Sequence, residues 1–217
     1  MATDSTISDA LPDRSRGDEL ANSLTHGTGL LLAVVGGVFM IPAASSSHIG
    51  VRIAVVAYIA SLVAVYGFST LSHAVHSTAE KNRLRAWDQG TIYLLIVGTY
   101  TPFIAAYLPP VEAAFLAAAL WLAAGFGFWS KVVANHRVNR LASWSYIALG
   151  WFPAAAFIGR IPMEVVKWMA YGGISYSVGT VFLMLDHRVA HFHVIWHILV
   201  IAASACHYYA IFAYVVA

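Results

Sequence analysis

Charged side chains are scarce in this 217-residue sequence. Asp, Glu, Lys and Arg make up 10% of the residues, whereas 60% are hydrophobic. A soluble globular domain has about 25% charged residues, so the composition excludes a soluble fold and predicts an integral membrane protein built as one helical bundle. The formal net charge is only +2, which gives no indication of a nucleic-acid partner.

Cysteine is almost absent, and the N-terminal segment has no apolar core. The one cysteine, Cys206, lies in an apolar stretch. A single cysteine cannot form an internal disulfide, and this one is expected to pack as a small hydrophobic residue.

Because residues 1–20 are polar, no cleavable signal peptide is predicted. We expect a polar tail at 1–20, followed by a single transmembrane domain at 21–217.

Long apolar runs are abundant. A membrane-spanning helix needs about 20 mostly apolar residues, and seven segments of the sequence meet this requirement. They lie at about 22–43, 51–73, 88–108, 111–133, 141–159, 163–185 and 192–216. The sequence therefore predicts an all-α fold, a polytopic bundle of seven transmembrane helices joined by short connections.

The positions of lysine and arginine predict the orientation of this bundle. If the N-terminus is cytoplasmic, nine of these residues lie on the cytoplasmic side, and only Arg52, Arg160 and Lys167 lie outside. Cytoplasmic loops carry the excess of positive charge. The N-terminus is therefore predicted in the cytoplasm and the C-terminus outside the cell membrane.

Two histidines, His193 and His197, interrupt the apolar run FHVIWHILVIAASA. Their spacing of four residues places both imidazoles on one face of a helix. Polar side chains at membrane depth are costly and usually functional, and neutral imidazole is a common metal ligand. The pair is interpreted as half of a metal site.

The predicted topology brings further polar residues to the same cytoplasmic level. His73 ends the second helix, Ser69 lies one turn before it, and Asp88 opens the third helix. Three imidazoles with one open position are typical of catalytic zinc. Asp88 could then act as general base, and Ser69 could hydrogen-bond a water or a substrate oxygen. His76 could replace His73, and spacing alone does not decide between them.

Glu19, Asn22 and His26 share a face where the first helix begins. Two interpretations are equally open for these residues. They could cap the helix and meet the interface, or they could support the metal ligands and cover the site.

The remaining histidines are weaker candidates. His207 follows His193 by 14 residues, about 21 Å of helix rise, which is too far for a shared metal. A buried polar contact within the membrane, with a supporting or gating role, is expected instead. His187 and His191 lie beside Asp186 in a short loop and are predicted to be solvated.

These residues belong to a set of short motifs that together resemble a known family. The motifs are Glu19-x-x-Asn22-x-x-Thr25-His26-Gly27, Ser69-x-x-x-His73, Asp88-x-x-x-Ile92-Tyr93, Gly98-Thr99-Tyr100-Thr101-Pro102, His193-x-x-x-His197 and His207. The set resembles the hemolysin III family, the bacterial branch of the progestin and adipoQ receptor superfamily, from Glu19 to the C-terminus. The resemblance implies zinc bound by His73, His193 and His197, with Asp88 and Ser69 around the bound water. It thereby favours His73 over His76.

The resemblance also implies a function. The receptor branch of the superfamily and the related alkaline ceramidases suggest hydrolysis of a lipid amide. We therefore expect a zinc-dependent hydrolase of lipid amides or esters in a bacterial plasma membrane, involved in membrane lipid homeostasis, with membrane lipids as substrate or ligand. The alternatives are a non-catalytic regulator or receptor with structural zinc, and a cytolytic pore-forming protein.

Overall fold

A computed structural model describes residues 15–134 and 140–216 of the chain. Within these ranges there are seven α-helices and no β-strand, so the predicted all-α class is confirmed. The helices are α1 (Arg16–Ala43), α2 (Ile49–Ala74), α3 (Thr78–Tyr107), α4 (Pro110–Val132), α5 (Arg140–Trp151), α6 (Met163–Leu185) and α7 (Phe192–Ile211). Most of the predicted polar tail lies outside the described residues.

Six of these helices, all except α5, are long and apolar enough to cross a membrane. The α5 helix has only 12 residues, and a 3₁₀ segment, Phe152–Phe157, continues it. The α-helical part is shorter than the predicted span because of Pro153. Proline has no N–H to donate, and its ring clashes with the carbonyl of the preceding turn.

Two helices begin at least six residues earlier than the hydropathy pattern predicts. The α1 helix begins at Arg16, six residues before the expected start, because Ser15 Oγ accepts a hydrogen bond of 3.1 Å from Asp18 N and caps the helix. The α3 helix begins at Thr78, ten residues before Asp88. Both early turns are polar, and hydropathy does not distinguish a polar helical turn from a polar loop.

The α2 and α3 helices form the middle of the bundle. In their most apolar windows, 50% of α2 and 61% of α3 is buried, against 17% of both α4 and α6. Helices that follow one another in the chain pack together, α1 with α2, α2 with α3, α3 with α4, and α6 with α7. The outer helices α4 and α6 therefore direct most of their apolar surface towards lipid.

Small residues allow close packing at particular crossings. A Cβ added at Gly127 of α4 would lie 2.5–2.7 Å from the Tyr93 ring of α3, and one at Gly29 of α1 would lie 2.7–2.8 Å from two ring atoms of Tyr66 of α2. A Cβ at Gly125 would meet no described atom within 4 Å. Glycines at the first two positions therefore let aromatic rings pack against the backbone of a neighbouring helix.

Candidate metal centre

Three histidines meet at one end of the bundle. His73 lies in the last turn of α2, and His193 and His197 occupy the first two turns of α7. One ring nitrogen from each lies within 4.8 Å of the other two. The ring centroids are 4.5–5.2 Å apart, and two of the three residues are buried. These three histidines could hold one metal ion.

Hydrogen bonds between α2 and α7 set the common depth of these histidines. The Tyr66 hydroxyl donates to Ser204 Oγ over 2.9 Å. This bond lies seven residues from His73 along α2 and seven residues from His197 along α7, about 10 Å of rise on each helix. Since the two helices run in opposite directions, both imidazoles are carried to the same level.

Carboxylates contact the outer nitrogens of two of the histidines. Glu19 Oε2 lies 2.6 Å from His73 Nδ1, and Asp186 Oδ2 lies 2.7 Å from His193 Nδ1. An ionised carboxylate can only accept a hydrogen bond, so each Nδ1 carries a proton, and in the neutral imidazole each Nε2 keeps a lone pair. Histidines that bind metals are usually oriented by such a carboxylate. The donor set therefore fits a metal ion.

The third histidine, His197, also fits this interpretation. It is 1% exposed, and its Nδ1 has no hydrogen-bond partner among the described residues. A buried polar atom without a partner costs about 1–3 kcal/mol. A nearby metal or an internal water would offset this cost for the imidazole.

Glu19 joins three helices at the site. Besides His73, it accepts a hydrogen bond from Lys81 Nζ at 2.7 Å and one from Arg85 Nη2 at 3.3 Å. Its side chain is 13% exposed, so the carboxylate is largely shielded from solvent. Of the two interpretations of Glu19, these contacts favour the one in which it supports a histidine of the cluster.

Asp88 and Ser69 occupy different positions relative to the cluster. Asp88 is half-buried and lines a large cavity together with His73 and His193. Ser69 is fully buried one turn before His73, and its Oγ has no hydrogen-bond partner among the described residues. Asp88 therefore faces the space in front of the histidines, whereas Ser69 lies in the packed interior on the His73 side of α2.

Asn22 and His26 lie on the buried side of α1, next to the cluster. The His26 ring stacks on His197, with centroids 3.4 Å apart and planes at 17°. Neither ring nitrogen of His26 and neither side-chain polar atom of Asn22 has a partner among the described residues. Asn22 also lines a small cavity of about 210 Å³ beside His193. Buried polar groups of this kind are usually satisfied by internal water.

A cavity of about 700 Å³ extends from the histidine cluster through the bundle. Asp88, Asp186 and His193 line it at one end, and Ile158 and Met163 line it at the other. Most of the wall between them is apolar. The volume is within the range of small-molecule binding sites, and an elongated apolar ligand would suit its shape.

Four of the other described histidines, His76, His187, His191 and His207, lie outside the cluster. His207 lines the same cavity but stacks on Tyr176, with centroids 5.9 Å apart. His76 and His187 are exposed. The side chain of His191 is 73% exposed and pairs with Asp18 at 2.7 Å.

Asp186 is the site residue that the sequence analysis missed. The sequence places Asp186 in the loop between the sixth and seventh helices, beside two histidines that are predicted to be solvated, yet its carboxylate accepts a hydrogen bond from His193. One signal was available in the sequence. Histidines that bind metals are usually oriented by a carboxylate, and Asp186 is the carboxylate in the short connection before His193.

Comparison with known proteins identifies one family model and several relatives that match most of the chain. Residues 15–208 match the family model described as "Haemolysin-III related". The chain is 33% identical over 204 residues to "Hemolysin-3" of Bacillus cereus, covering 91% of this chain and 92% of that one. It is 31% identical over 203 residues to "Hemolysin-3 homolog" of Bacillus subtilis (strain 168), covering 92% and 95%. It is also 27% identical over 202 residues to human "Monocyte to macrophage differentiation factor", covering 91% and 84%.

Proposed function

Because this chain belongs to the haemolysin-III-related family of multi-pass membrane proteins, we propose that it is a zinc-dependent hydrolase of lipid amides or esters. The observation that carries the proposal is the position of the three-histidine cluster. It lies at the end of a largely apolar cavity of about 700 Å³. A metal site that opens into a space suited to an acyl chain is what hydrolysis of a membrane lipid requires.

Zinc is the metal proposed for His73, His193 and His197. Three neutral imidazoles and one open coordination position are typical of catalytic zinc sites. When bound there, zinc would polarise a substrate carbonyl and activate a water for attack. Imidazole also binds other transition metals, so the metal content of the purified protein is the first measurement to make.

The protein's own residues would orient the ligands and move protons. Glu19 and Asp186 contact His73 and His193 through Nδ1, so Nε2 is the ring nitrogen with which each would hold the metal. Asp88 lines the cavity in front of the cluster, where a carboxylate can accept the proton of an attacking water and return it to the leaving group. The Ser69 hydroxyl, buried beside His73, would hydrogen-bond a water of the site. The apolar wall would hold the acyl chain and exclude bulk water.

We further propose that the chain crosses the membrane seven times, with its N-terminus in the cytoplasm. The α5 helix and the 3₁₀ segment after it contain 12 and 6 residues, which together rise about 30 Å. That length matches the hydrocarbon thickness of a bilayer. The Lys and Arg bias would place the metal centre at the cytoplasmic face.

The substitution Asp88→Asn tests the hydrolase proposal. We expect purified wild-type protein to contain about one zinc and to release fatty acid from a panel of acyl amides and acyl esters in liposomes. Asp88→Asn should retain the metal and lose at least about 100-fold in rate, because general acid–base catalysis contributes about 10²–10⁴-fold. Glu112→Gln is the matched control. Glu112 pairs with Arg160 on the exposed surface, so this change should alter neither quantity.

Other results would favour one of the two alternative functions or contradict the metal site. Wild-type protein that binds zinc but hydrolyses no lipid, and loses stability when the metal is removed, would favour the regulator with structural zinc. Conductance in protein-reconstituted bilayers would favour the cytolytic pore, the activity that the names of the Bacillus relatives suggest. Metal-free wild-type protein, or metal retained after His193→Ala, would contradict the site itself.

A further inference from the structure

Several polar side chains along the wall of the large cavity form hydrogen bonds within the bundle. Thr99 Oγ1 donates to Leu95 O, and Thr180 Oγ1 donates to Tyr176 O. The Tyr100 hydroxyl donates to the carbonyl of Gly150. These groups therefore present mainly their apolar parts to a ligand. An unsubstituted hydrocarbon chain can therefore contact these side chains without leaving their hydroxyl groups unpaired.

His207 differs from these residues. It lines the cavity, is 7% exposed, and its Nδ1 is buried with no hydrogen-bond partner among the described residues. The ring stacks on Tyr176 at an interplanar angle of 16°, and a Cβ at Gly172 would overlap His207 Nε2. The fold thus makes room for an imidazole at this depth without supplying a hydrogen-bond partner for its Nδ1 among the described residues. An unsatisfied polar group in the membrane interior is costly.

The position of His207 indicates what it could contact. It lies 14 residues after His193 on the same helix, about 21 Å along its axis. It therefore takes no part in the metal site. A ligand whose reactive group lies at the cluster reaches His207 only with a distant part of a long chain.

We propose that His207 recognises an oxygen substituent, such as a hydroxyl, part-way along the acyl chain of the substrate. This inference rests on the proposed function, because it places an acyl chain in the cavity. A neutral imidazole offers one donor and one acceptor nitrogen, so it can pair with a hydroxyl in either direction. A plain hydrocarbon chain leaves it unpaired, and a site built to hydrogen-bond a hydroxyl discriminates against the analogue that lacks it.

The test compares the binding of stearic acid with that of its monohydroxy derivatives, in which the hydroxyl is moved along the chain. Dissociation constants are measured by calorimetry on the purified full-length protein in detergent. For the wild type, derivatives hydroxylated in one region of the chain should bind about two- to tenfold more tightly than stearic acid, the net effect of one hydrogen bond. His207→Leu should remove this preference, and His207→Gln, which keeps a donor and an acceptor, should retain part of it.

Met169→Leu is the matched control, because Met169 lines the same cavity and the exchange nearly conserves side-chain volume. It should leave the hydroxyl preference unchanged. Equal binding of all chains to the wild type, or an unchanged preference in His207→Leu, would overturn the role of His207. Neither result would contradict the proposed hydrolase activity, because the zinc content and the activity of Asp88→Asn test that proposal separately. If no fatty acid binds at all, both the role of His207 and an acyl chain in this cavity are contradicted.

Discussion

Replacing Glu19 by Gln should weaken metal binding without removing a ligand. The Glu19 carboxylate accepts from His73 Nδ1 at 2.6 Å and is only 13% exposed, so solvent screens this contact weakly. Gln keeps the length and one acceptor oxygen but loses the negative charge that strengthens the hydrogen bond from His73 Nδ1. Loss of such a partner typically lowers metal affinity about 10- to 100-fold, or about 1.4–2.7 kcal/mol. This agrees with the 1.5–3 kcal/mol typical of hydrogen bonds to charged groups.

The assay is competition for zinc between the purified protein and a chelator of known affinity. Glu164→Gln is the control because Glu164 pairs with Lys167 at 2.7 Å with both side chains about half exposed. Such surface pairs contribute about 0–1 kcal/mol, and this one contacts no histidine of the cluster. Affinities within twofold of wild type for Glu19→Gln would refute the idea that this carboxylate tunes the ligand. A comparable loss of zinc affinity in Glu164→Gln would show that the loss does not depend on contact with a histidine of the cluster.

Three further predictions concern the second carboxylate, the packing and the topology. Asp186→Asn should also weaken zinc binding about 10- to 100-fold in the same competition assay, because Asp186 holds His193 as Glu19 holds His73; unchanged affinity would contradict this. Gly127→Ala should lower the free energy of unfolding by about 1–3 kcal/mol in a denaturation assay, because the new Cβ would overlap the Tyr93 ring. Gly125→Ala, with open space at its Cβ, should have little effect, and equal losses would contradict the packing argument. Alkaline phosphatase fused after the C-terminus should be active, because seven spans place that end outside; an inactive fusion that is stably expressed would favour six.

Helix bounds were predicted best where the composition of the sequence changes abruptly. The α6 helix has the predicted bounds, Met163–Leu185, because Pro162 precedes it and Asp186 follows it. The start of α3 at Thr78 could not be found in this way, since its first turns are polar and lie outside the apolar run. The end of α5 depends on Pro153, whose effect within a transmembrane segment varies with the neighbouring helices.

The three-histidine cluster was predictable to the extent that it follows from helix faces and depth. Spacing gave His193 and His197, and the topology brought both His73 and His76 to the same level. The family resemblance then favoured His73. The contacts of Glu19 with His73 and of His26 with His197 depend on how closely α1 approaches α2 and α7. Periodicity within one helix contains no information about that approach. Gly29, which lets α1 approach Tyr66 of α2, is visible in the sequence only as one small residue among many.

The separation of the three histidines along the chain has a consequence for biosynthesis. His73 and His193 are 120 residues apart, so at about 5–20 residues per second the ribosome needs roughly 6–24 s to make the second after the first. During that interval His73 can already pair with Glu19, because α1 and α2 are both complete. A metal ion could be held by all three histidines only after the last helix has entered the bilayer. A loaded site would therefore mark a molecule whose insertion is finished, and the bound ion would oppose its later disassembly.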